Sequence, residues 1–179
     1  MIKVYVWFFA MVLCFRAEAQ GLLIDKASRI SFFSEAPLEN IAAVTEKAAS
    51  ALDTGSCEIA FKVTINTFAF KKRLMQEHFN ENYMESDRFP HATFNGKIQE
   101  PVDWHRDGTY LVTVVGTLDI HGVGKQYTVP ATITVRGESI MAVAKFNVRV
   151  ADHDVKIPRI VIKNIAEVVE VDVSATYNK

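Results

Sequence analysis

Residues 110–120, YLVTVVGTLDI, are followed by 127–136, YTVPATITVR, and 139–150, SIMAVAKFNVRV. In each run the apolar residues recur at every second position. Tyr110, Val112, Val114, Leu118 and Ile120 share one side, as do Tyr127, Val129, Ala131, Ile133 and Val135. Ile140, Ala142, Ala144, Phe146, Val148 and Val150 repeat the pattern. A period of two places side chains alternately on the two faces of a sheet, one dry and one wet, which suits antiparallel strands. His121-Gly122-Val123-Gly124 and Arg136-Gly137-Glu138 lie between these runs and carry hairpin chemistry.

Working outward, 57–67 (CEIAFKVTINT) puts Cys57, Ile59, Phe61, Val63 and Ile65 on one face, and 167–177 (EVVEVDVSATY) does the same with Val169, Val171, Val173, Ala175 and Tyr177. RISFF (29–33), ENIAAVT (39–45) and KAASAL (47–52) are shorter strand-like pieces. Turn chemistry recurs at Asp53-Thr54-Gly55-Ser56 and Arg106-Asp107-Gly108. Only 71–86, KKRLMQEHFNENYMES, reads as helix, pairing Leu74 with His78 and Met75 with Phe79 four residues apart.

The expected fold is therefore all-β: a closed antiparallel barrel of about eight strands with one short helix near a mouth. Closure removes the exposed edges that eight or nine hairpin-linked strands would otherwise present. Periodicity alone does not separate a barrel from a sandwich. A barrel of about eight strands has room for one small ligand. The inward face and the helix supply Phe61, Val63, Ile65, Phe68, Met75, Phe79, Phe94, Val112, Val114, Ile133 and Phe146 as candidate lining of an apolar cavity. Arg73 and His78, on the helix, are candidates for contact with a polar head group, although a solvated His78 is the blander reading.

Composition excludes several classes. The chain has 179 residues, 49% of them hydrophobic, and a formal net charge of -1, which gives nucleic acid no clustered basic surface to bind. One domain suits the length. The only long apolar run, Val4–Leu13, follows Lys3 and precedes Ala17-Glu18-Ala19. That is the order of a secretory signal: residues 1–19 are expected to be cleaved before Gln20, leaving 20–179 as a single domain in the periplasm or secreted. Leu13 before Cys14 disfavours a lipoprotein site, and no integral membrane protein is expected. Cys14 leaves with the signal, so Cys57 has no disulfide partner and is expected to be a buried, inert strand thiol.

The order of elements resembles the YceI-like family of exported bacterial proteins, which implies a lipocalin-like barrel. The resemblance starts at 25–32, DKASRISF, and is sharpest over 68–98, FAFKKRLMQEHFNENYMESDRFPHATFNGKI, where a strand enters a short helix and an aromatic-Pro turn, Phe89-Pro90, leads to the next strand. Gly116-Thr117-Leu118-Asp119-Ile120-His121-Gly122 matches the family's hairpin. Ala27 stands where many members carry histidine. The resemblance implies a carrier or sequestering protein for a polyisoprenoid, quinone-like or other long amphiphilic lipid, with no catalysis and no cofactor besides that lipid.

The residues themselves add no enzyme chemistry. Five histidines form no HxxxH or HxH pair, and neither Gly-x-Ser-x-Gly nor Ser-x-x-Lys is present, so no catalytic or metal site is assigned. Asp119, His121 and the triplet Asp152-His153-Asp154 are expected to be exposed loop residues. The alternative function is a periplasmic interaction module whose barrel is filled by its own side chains. Assembly, including a homodimer, is left open by the sequence.

Overall fold

The computed structural model describes residues 21–35, 40–155 and 167–179. The expected signal segment and its cleavage site lie outside the described residues. Among the described residues there are nine strands: β1 (Leu22–Ser34), β2 (Ile41–Asp53), β3 (Glu58–Thr64), β4 (Ala69–Phe70), β5 (His91–Ile98), β6 (Gly108–Ile120), β7 (Val123–Arg136), β8 (Ser139–Arg149) and β9 (Val168–Asn178). They follow the order β1-β9-β8-β7-β6-β5-β3-β2-β4, and β1 also pairs with β2. That last pairing closes an eight-stranded antiparallel barrel, to which β4 adds a two-residue edge at Ala43–Phe70 and Val44–Ala69.

The alternation carries through. In β6, Val112, Val114, Gly116 and Leu118 are buried, while Leu111 and Val115 are exposed. His121 and Gly122, at φ 56 and 75, form the two-residue hairpin joining β6 to β7, a turn whose twist matches that of the strands it links.

β1 and β2 are single thirteen-residue strands, longer than the fragments read from the sequence. Each contains a register shift. Asp25 pairs with Ser50, Ser28 with Ala48 and Ile30 with Thr45, so Lys26-Ala27 bulge from β1 and Glu46-Lys47 from β2. Both residues of each bulge face solvent, which breaks the two-residue period and inverts the inward phase along the strand. Asp25 secures the bulge: its carboxylate accepts the Ala27 and Thr176 amides at 2.9 and 3.0 Å and the Ser28 hydroxyl at 2.8 Å. Although burial opposes ionisation, these bonds hold its pKa below the ordinary value.

The helix is split in kind. α1 (Arg73–His78) runs into a π turn at Phe79–Tyr83, closed by the Met84 amide on the Phe79 carbonyl at 2.9 Å. The wider turn brings Met84 under Phe79 and leaves Leu74 61% exposed, so the expected Leu74–His78 stripe does not face the barrel. Cys57 differs from expectation too. It ends the turn before β3, at φ 59, half-buried against the lower core.

The barrel interior has two parts. At the lower end Leu52, Ile133, Val135, Ile140 and Tyr177 are fully buried. Val102 and Trp104, from the loop between β5 and β6, pack into the same cluster as a floor. Tyr110 fixes that loop by donating its hydroxyl to the Asp103 and Arg106 carbonyls. Each fully buried aliphatic side chain here contributes about 1.5–3 kcal/mol.

Candidate ligand cavity

Above the floor the inward side chains shrink. Ala92 on β5, Ala131 on β7, and Ala142 and Ala144 on β8 occupy positions where a leucine would reach across the bore. Gly96 and Gly116 face each other across β5 and β6, and the Phe94 ring lies over both. A methyl at either glycine would meet that ring, so the two glycines form the notch in which Phe94 lies against the wall instead of spanning the barrel.

The space left is a cavity of about 210 Å³. Ile59, Val114 and Ile133 border it below, and Phe61, Phe94, Val129, Phe146, Val171 and Val173 border its sides. Phe32, Phe68, Phe79, Met84 and Val155 border it above. Among the described residues that line it, Thr93 and His153 are the only polar ones. The volume exceeds many-fold the ~10–15 Å³ that holds one water, yet the walls offer water almost no partners. Such a space favours an apolar molecule.

The roof is an interlocked aromatic cluster. The Phe32 ring centroid lies 5.3, 5.8 and 5.4 Å from those of Phe68, Phe70 and Phe79, and Phe70 lies 5.0 Å from Phe79. β1, β4 and the helical segment each supply a ring, which brings α1 and its π turn over this mouth.

Nine of the eleven candidate residues line the cavity: Phe61, Val63, Ile65, Phe68, Phe79, Phe94, Val114, Ile133 and Phe146. Val112 is buried in the packed floor below, and Met75 is half-buried on the helix outside the lining. Arg73 and His78 do not reach the cavity. Arg73 pairs with Glu77 at 2.7 Å with its side chain 92% exposed, and His78 is also exposed.

Sequence reasoning missed Phe32, Met84, Val171, Val173 and His153. The last is a correction, because His153 is fully buried rather than an exposed loop residue. The 3₁₀ turn Val150–His153 folds it back onto the β6–β7 hairpin. There its Nδ1–H donates to the Val123 carbonyl at 2.8 Å, so in the neutral ring Nε2 accepts the Tyr127 hydroxyl at 3.1 Å. Burial, and then the Asp152 carboxylate, push the Tyr127 phenol above its ordinary pKa and keep it a donor. His121 is likewise mostly covered, its ring 4.2 Å from Phe89.

No group of three or more His, Cys, Asp or Glu able to hold a metal occurs among the described residues. No helix among them is long and apolar enough to cross a membrane.

Residues 23–177 match the family model of the YceI-like domain. No curated protein matches the chain. Among solved structures, a polyisoprenoid binding domain from Saccharophagus degradans implicated in plant cell wall breakdown is similar at TM-score 0.74 and 18% identity, covering 89% of this chain and 99% of that one. BcnA of Burkholderia cenocepacia is similar at TM-score 0.71 and 15% identity, covering 83% and 95%. The YCEI protein of Campylobacter jejuni follows at TM-score 0.57 and 16% identity, covering 74% and 80%. At these identities the likeness shows the fold.

Proposed function

The chain belongs to the YceI-like family, and we propose that it is an exported carrier or sequestering protein that holds the apolar chain of a polyisoprenoid or similar long amphiphilic lipid in its barrel. The observation that carries this reading is the cavity of about 210 Å³ walled almost wholly by aliphatic and aromatic side chains. Binding there would be driven by removal of the chain from water, about 25 cal/mol for each Å² buried. The Saccharophagus degradans domain, described as polyisoprenoid binding, supports the ligand class. Export rests on the signal pattern of residues 1–19, with residues 20–179 as the working domain.

The alternative, an interaction module with a side-chain-filled barrel, has only the packed lower end in its favour.

Native mass spectrometry of protein from the exported fraction, followed by organic extraction, tests the binding reading. A stoichiometric lipid is expected. Ala131→Trp, whose side chain would enter the cavity, is expected to abolish lipid uptake while the far-UV spectrum and cooperative melting persist. An unloaded mass, unchanged after incubation with quinones and polyprenyl lipids, would overturn the assignment.

A further inference from the structure

The seam between β7 and β8 is half made. β6 and β7 stay in register from Gly108–Val135 up to Ile120–Val123, and β8 and β9 from Ser139–Asn178 up to Arg149–Val168. β7 and β8 pair only from Arg136–Ser139 to Ala131–Ala144. The stopping point has a cause in the sequence. The Thr113 carbonyl accepts the Gln99 amide at 2.9 Å and its own amide donates to the Glu100 carboxylate, so both backbone groups point toward β5. Its β7 partner is Pro130, whose nitrogen must then point the opposite way, toward β8. The next hydrogen-bonded rung of the seam would be Pro130–Lys145, and proline has no N–H to give.

Above that point side chains bridge the strands. The Tyr127 ring of β7 lies 6.0 Å from Phe146 of β8 and 5.9 Å from His153, and the two hydrogen bonds of His153 tie it to Val123 and Tyr127. Ala131, Val143 and Ala144, at the base of the split, border both the interior cavity and a groove on the outer face of the barrel. The seam between β2 and β3 is also incomplete, with pairing confined to Ala49–Lys62 through Asp53–Glu58. There, however, the upper part of β2 takes β4 as a backbone partner. Among the described residues, no backbone segment does the same for the upper part of β7.

We propose that the upper β7–β8 seam is a side port through which the apolar chain enters and leaves the barrel, latched by Tyr127 and His153. The proposal rests on the reading that the barrel holds such a chain. Opening the latch breaks two side-chain hydrogen bonds and separates three rings, with no rung of the sheet disturbed. Entry through the roof would instead pull apart the Phe32, Phe68, Phe70 and Phe79 cluster.

A gate changes association and dissociation rates together and leaves Kd nearly constant, which separates it from a change in the cavity. The probe is all-trans-retinol, a fluorescent isoprenoid alcohol, followed by stopped-flow mixing. Tyr127→Phe deletes one latch bond and is expected to raise both rates about three- to tenfold, with Kd within about twofold. Pro130→Thr restores the missing N–H and is expected to slow both. Phe70→Leu loosens the roof without touching the cavity lining and is expected to leave both rates unchanged. Thermal melts establish that each variant is folded. Retinol binding whose rates ignore Tyr127→Phe and Pro130→Thr, or respond to Phe70→Leu instead, would overturn the port alone. Failure of the unmodified protein to take up retinol or polyprenyl lipids would remove the binding reading and the port with it.

Discussion

The two ends of this barrel are built from the same strands with the same alternation, yet one is solid and the other hollow. Ile133 and Val135 lie two residues apart on β7 and are fully enclosed; Ala131, two residues further up, opens onto the cavity. On β8, Ile140 is sealed in the floor, whereas Ala142 and Ala144 are cavity wall. Alternation decides that a strand has an inside. The volume of the inward side chain decides whether that inside is core or container.

The contrast is broken most forcefully by truncating at both ends. Leu52→Ala, in the packed end, is expected to cost about 2–5 kcal/mol, because the surrounding core cannot collapse into the hole. Leu118→Ala, on the cavity wall, is expected to cost less than half as much, since part of its surface already borders open space. Paired urea titrations measure the difference, and equal costs would mean that the two ends are packed alike.

Alkali acts most strongly on the solid end, although the raised Tyr127 phenol of the upper seam also titrates in this range. Burial pushes the Tyr177 phenol from its ordinary 10.0 up to about 12. Its folded-state pKa is raised, so the stabilisation is complete below pH ~10 and is lost as pH climbs toward 12. The shift corresponds to about 2–3 kcal/mol. Tyr177→Phe is expected to flatten this part of the stability–pH curve, read from denaturant midpoints between pH 9 and 12.

The glycine pair gives the smallest effect and the sharpest distinction. A methyl at Gly116 would meet the Asn95 carbonyl and the Gly96 backbone, neither of which can swing aside. Gly116→Ala is therefore expected to cost about 1–3 kcal/mol. A methyl at Gly96 would press on the Phe94 ring and the Val114 side chain at 2.7–2.9 Å. Gly96→Ala is expected to cost less stability but to turn Phe94 into the bore and weaken lipid binding, measured by retinol titration.

How much of this could be read beforehand follows from where the regular pattern persists. β3 and β5 through β8 alternate without a bulge, and all but one of the wall candidates chosen from them by phase line the cavity. β1 and β2 were legible only in pieces, because Lys26-Ala27 and Glu46-Lys47 each place two neighbours on the wet face. Phe32 lies beyond the first of these breaks, and its part in the roof depends on the inverted phase. The π turn had no periodic signature, so Met84 went unnoticed and Leu74 was turned the wrong way. His153 sits in a polar triplet, and its own burial depends on a contact with Val123, thirty residues away. Nothing local announces such a contact. Pro130 was visible, but its meaning required knowing that its nitrogen faces β8 rather than β6.

The hollow also has a mechanical consequence. While it carries no cargo, a folded chain with such an apolar cavity occupies more volume than the same chain unfolded, because unfolding lets solvent into the space. Hydrostatic pressure therefore works against the upper half of this barrel first, while the close-packed floor resists compression. A cargo that fills the space removes the volume difference. Compression and cargo thus act on the same 210 Å³ in opposite senses.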